Sequence, residues 1–119
     1  MSRSYATEHP EFVLGVDIPV EFLDATQWVD MSWHNDGCPH FVTADVIAPN
    51  VPYRISVWVE MADATQRECE GLPRFGVEVV TADDYEQYLG NAPVIDCETM
   101  ADVMDAIAEL SGFMKGEAL

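Results

Sequence analysis

Apolar and polar residues alternate most cleanly over 53–61. Tyr53, Ile55, Val57, Val59 and Met61 share one face, and Arg54, Ser56, Trp58 and Glu60 the other. A period of two is the mark of a strand with one buried face. The stretch 28–34 alternates in the same way, with Val29, Met31 and Trp33 on one side and Trp28, Asp30, Ser32 and His34 on the other. Asn35-Asp36-Gly37 supplies turn chemistry before a second apolar run over 41–47, so the pair reads as a hairpin with a loop of a few residues. A further strand is predicted over 74–80, and a brief one at Val94 and Ile95. The run 12–16 is expected to pair at a sheet edge, with Pro19 limiting its extension.

Helical spacing replaces alternation near the C-terminus, where Met100, Val103, Met104, Ile107, Leu110 and Met114 form one apolar stripe. Thr99 and Asp102 have the spacing of a capping box, and Ser111-Gly112 offers a stop. Thr65 and Glu68, with Gly71 beyond, repeat the signal for a single helical turn, and 81–84 with Gly90 repeat it for a short helix through Tyr85 and Tyr88. The expectation is an α+β fold over 1–119 as one domain: an antiparallel sheet of about four strands, the C-terminal helix packed on one face, and one short additional helix. Residues 1–11 read as a flexible, polar lead-in.

Charge changes the picture most. Twenty-two acidic residues face four arginines and one lysine, a formal net charge of −17 in 119 residues. A magnitude of about 2 to 8 suffices to keep a small domain soluble. Such a surface repels nucleic acid and anionic membrane and draws in basic partners. Direct nucleic-acid binding is therefore excluded as an expectation, and so is membrane binding. With 49% apolar residues the chain can still build a core. Three cysteines at wide spacing and an N-terminus without an apolar signal core point to a cytoplasmic protein with reduced thiols.

On the helix side opposite the apolar stripe, Asp102, Asp105 and Glu109 follow at spacings of three and four, and Glu98 extends the line if the helix begins one turn earlier. Like charges so placed destabilise a helix by roughly 0.2–0.5 kcal/mol per pair. Their spacing, set by a helix pitch of about 5.4 Å, is of the order of the phosphate spacing of a nucleic-acid strand, about 3.4 Å per nucleotide. These four residues are the expected partner-binding surface, against the plainer reading of a solvated acidic face.

A second constellation surrounds the turn. His34, Asp36, Cys38 and His40 occupy alternate positions and have the chemistry of a Zn²⁺ site or of a Cys/His nucleophile pair. The Asn-Asp-Gly turn breaks the regularity that would gather them, so the favoured reading is turn capping, with neither metal nor cofactor expected. Gly71-Leu-Pro-Arg-Phe-Gly76 lacks the lysine and the spacing of a phosphate loop. Trp58, opposite the apolar row and accompanied by Arg54, needs cover from a loop or marks an interface, with a homodimer as one way to cover a bare sheet face.

The leading expectation is a small non-enzymatic inhibitor of the nucleic-acid-mimic type. Its acidic surface would block the basic nucleic-acid-binding site of a partner protein. In size and charge alone the chain resembles phage-encoded inhibitors of host nucleases and CRISPR complexes. Two alternatives stand beside it: a cytosolic housekeeping domain of a salt-adapted organism, and a metal-binding or thiol enzyme centred on His34, Cys38 and His40.

Overall fold

A computed structural model of the chain describes residues 4–81 and 93–116. Its centre is a five-stranded antiparallel sheet, β1 (Trp28–Asp30), β2 (His40–Thr43), β3 (Tyr53–Val59), β4 (Phe75–Thr81) and β5 (Ile95–Cys97), in that spatial order. Each strand pairs with its neighbour in sequence, so the sheet is a meander. The architecture is α+β as expected, with five strands where about four were predicted. Ile95–Cys97, the fifth, answers to the brief strand expected at Val94 and Ile95.

One face of the sheet carries Ile55, Val57 and Val59 of β3 with Phe75, Val77 and Val79 of β4, all buried. Helix α2 (Met100–Met114) packs across β3, β4 and β5 on this side. Thr99 caps it, its Oγ1 accepting from the Asp102 amide at 3.1 Å. The helix runs past the expected stop at Ser111-Gly112. It ends after Met114, with Gly116 at φ 79, the left-handed conformation that closes many helices. Its buried face is Val103, Ala106 and Leu110, while Met104 is 56% exposed. The buried face is thus shifted toward Ala106, while Met100, Ile107 and Met114 of the predicted stripe pack partly buried against the core.

The rest of that face is covered from the N-terminal side. Phe22, in a 3₁₀ turn (Val20–Leu23), stacks on Phe41 with centroids 4.7 Å apart and meets Trp28 edge-on at 4.7 Å. Phe12 and Ile18 join the same core. The run 12–16 forms no strand. Val13 O accepts the amides of Val16, Asp17 and Ile18, and the Asp17 carboxylate accepts from Val13 N at 2.9 Å and Ala62 N at 3.0 Å. A tight turn with Gly15 at φ 82 results, leaving only an isolated Leu14–Ile18 bridge.

The described part of the lead-in is held down. Helix α1 (Tyr5–Glu8) donates its Tyr5 amide to Asp30 Oδ2 at 2.8 Å, and His9, buried, pairs through Nε2 with Trp33 O at 2.9 Å. The strand expected over 28–34 stops at Asp30, whose Oδ1 accepts from Ser32 N. Residues 31–39 form a longer loop than the predicted tight hairpin. The single turn near 65 is a 3₁₀ turn (Ala64–Gln66) capped by Asp63, whose carboxylate takes the amide of Thr65; the turn ends before Gly71. The short helix expected through Tyr85 and Tyr88 lies outside the described residues. Among the described residues no helix is long and apolar enough to cross a membrane.

Candidate functional site

Asp102, Asp105 and Glu109 all stand exposed on the solvent side of α2. Asp102 lies in the first turn, where the positive end of the helix dipole offsets its charge. Glu98 does not extend the row, because the helix begins at Met100. Its carboxylate accepts from the Arg74 amide at 2.9 Å and lies 3.5 Å from Arg67 Nη2. Three of the four predicted residues therefore share one helix face, and the fourth is tied to the loop beside it.

The described arginines are turned mainly toward backbone carbonyls. Arg54 donates through Nη1 to the carbonyls of Thr43 and Ala44, joining β3 to the end of β2. Arg67 donates to Met61 O and Leu72 O, both at 2.8 Å. Arg74 reaches Glu60 O at 3.0 Å, Val16 O at 3.1 Å and Asp17 O at 2.6 Å. Burial lowers the pKa of Arg74 although Asp17 opposes the shift. Most of the chain's few cations thus hold backbone carbonyls together, and Lys115 is exposed at the end of α2. Arg54, a possible interface residue beside Trp58, ties β3 to the end of β2.

The turn residues are not gathered into a site. His34 is exposed and pairs with Glu8 at 2.9 Å. His40 is buried, bonded through Nε2 to Ser56 Oγ. Cys38 is buried, its thiol hydrogen-bonded to the Glu60 carboxylate. Burial first, then the charge of Glu60, pushes its pKa far up. A thiol held so firmly is a poor nucleophile and a poor metal ligand. Among the described residues no group of three His, Cys, Asp or Glu side chains could hold a metal ion.

On the sheet face away from α2 the register aligns His40, Trp58, Gly76 and Asp96 in one row across β2, β3, β4 and β5. His40 lies flat on the Trp58 indole, with centroids 3.8 Å apart and planes within 3°. Trp58 Nε1 donates to Glu78 Oε1 at 2.9 Å. The cover Trp58 needs is therefore an imidazole from the next strand. This face is not bare, since Val42, Ser56 and Val80 are buried on it.

Past Trp58 the row opens. Gly76 contributes no side chain, and a cavity of about 330 Å³ is lined by Gly37, Cys38, Trp58, Glu60, Glu68, Leu72, Pro73, Gly76 and Asp96. The alternation of 53–61 already placed Trp58 and Glu60 together. Nothing in the sequence brings Asp96, Gly76 and Glu68 beside them, because that depends on strand register and on a loop. No protein-family model matches the chain, and no curated protein or solved structure matches it closely enough to stand as a relative.

Proposed function

We propose that this protein is a non-enzymatic inhibitor that occupies the basic nucleic-acid-binding site of a partner protein with an anionic surface. The observation that carries this reading is the way the cations are used. Arg67 and Arg74 are directed chiefly at backbone carbonyls, with Glu98 the acid that Arg67 also pairs, and 22 acidic residues against five cations leave a net charge of −17 to be expressed outward. Asp102, Asp105 and Glu109 present three carboxylates along one exposed helix face, mounted on a helix docked against the sheet. Fixed charge on a rigid support steers a basic partner at long range and loses little side-chain freedom when it docks.

The test is binding to a basic nucleic-acid-binding protein captured from host lysate at low salt. Affinity should fall steeply as salt rises. Reversing Asp102, Asp105 and Glu109 to Lys should abolish capture while leaving the far-UV circular dichroism of the fold intact. Full affinity in that triple variant would falsify the role of the helix face.

A further inference from the structure

We infer that the cavity beside Trp58 is a receptor for one arginine side chain of the basic partner. This inference rests on the proposed function and names the anchor point within it. Four observations converge. The indole has one face covered by His40 at 3.8 Å, and its ring is pinned at the edge by Glu78. Gly76 stands directly opposite Trp58 on β4, so the uncovered side of the ring borders open space instead of a neighbouring side chain. Glu60, only 7% exposed, lines that space. Its carboxylate has the weak Cys38 thiol as a partner, and no Lys, Arg or His forms an ion pair with it among the described residues. Glu68 and Asp96, both exposed, complete the rim.

A buried carboxylate without a cation is an expensive group to keep, and an aromatic face beside it attracts positive charge through its quadrupole. The two together suit a planar guanidinium, which stacks on the ring while its N–H fork meets carboxylates edge-on. An ammonium matches only half of this arrangement. The volume, about 330 Å³, lies at the small end of ligand pockets, roughly 300–1,000 Å³, suited to one side chain entering from a protein surface. Arg67 and Arg74 do not fill it, because their guanidinium groups are directed at the carbonyls of Met61, Leu72, Val16 and Asp17. Gly37 helps to shape the rim: a Cβ there would come within 1.8 Å of the Glu68 carboxylate, so glycine lets that side chain lie across the turn.

The experiment is an NMR titration of the full chain with the peptide acetyl-Gly-Arg-Gly-amide, following the Trp58 indole N–H, alongside counterparts carrying citrulline or lysine. The arginine peptide should shift the Trp58 signal, the lysine peptide should bind more weakly, and the neutral citrulline peptide should lose about tenfold or more. Gly76→Val fills the space without altering charge and should abolish the shift. The double variant Glu68→Gln/Asp96→Asn, confined to exposed side chains, should weaken binding about tenfold even if Gly76→Val disturbs the sheet. Equal response to arginine and citrulline, or undiminished binding in the double variant, would overturn the receptor. The two readings fail separately. Capture of a basic partner that survives the double variant removes the cavity's role alone. Arginine binding that persists beside full capture by the Asp102/Asp105/Glu109 reversal removes the helix face alone.

Discussion

Cys38 shows how burial decides the chemistry of a residue. Its sulfur sits in the cavity wall against Glu60, and both the loss of water and the adjacent negative charge favour the protonated thiol. Cys97 is also buried, and its pKa is raised by burial and then by the carboxylates of Asp102 and Asp96. Cys69 alone of the three is exposed. Native protein at pH 8 should therefore take up one equivalent of iodoacetamide, at Cys69, and urea should release two more, as counted by mass spectrometry. The linkage has a definite sign. The native state keeps protons that the unfolded chain releases near pH 8.5, so stability should be full below that pH and decline above it. A urea midpoint that held steady from pH 7 to 9.5 would contradict this.

Helix α2 has one face buried against the sheet and one exposed to solvent. Leu110, fully buried against the sheet, contributes to stability, and Leu110→Ala should cost about 2–5 kcal/mol in urea denaturation. Met104, expected on the same stripe, faces solvent, and Met104→Ala should stay within about 0.5 kcal/mol of the parent. A large loss at Met104 would show that the helix is docked in a different rotation. The existence of this helix and its Thr99 cap were legible in the sequence because capping and 3.6-residue periodicity are local properties. Its rotation was not. Met104 and Ala106 both sit near the apolar stripe, and only the docking of the helix on β4 and β5 buries Ala106 and leaves Met104 in solvent.

At the scale of the whole molecule, a charge of −17 is a self-repulsion that the fold withstands. The arginines stitch together segments far apart in sequence, Val16 to Arg74 among them. Dilute buffer at neutral pH should still leave the protein folded, with added salt raising the melting temperature modestly through screening. Under the same change, partner affinity should fall. A chain that unfolded without molar salt would instead fit the salt-adapted housekeeping domain, and a scan of melting temperature against salt distinguishes the two.

The sequence by itself determined the existence of β3 and β4, expected over 53–61 and 74–80 and found at Tyr53–Val59 and Phe75–Thr81, the last helix, the unbalanced charge and the shared face of Trp58 and Glu60, because alternation, capping and composition are written residue by residue. It also carries the Asn-Asp-Gly turn that interrupts the alternate spacing of His34, Cys38 and His40. Only the tertiary structure decided that Arg54, Arg67 and Arg74 would be spent on carbonyls, that the segment before β1 would cover Phe41, and that Gly76 would leave a gap between Trp58 and Asp96. Each of those outcomes depends on which strand lies beside which and in what register. Register is a long-range property, settled when whole faces are buried together and not by any one stretch of chain.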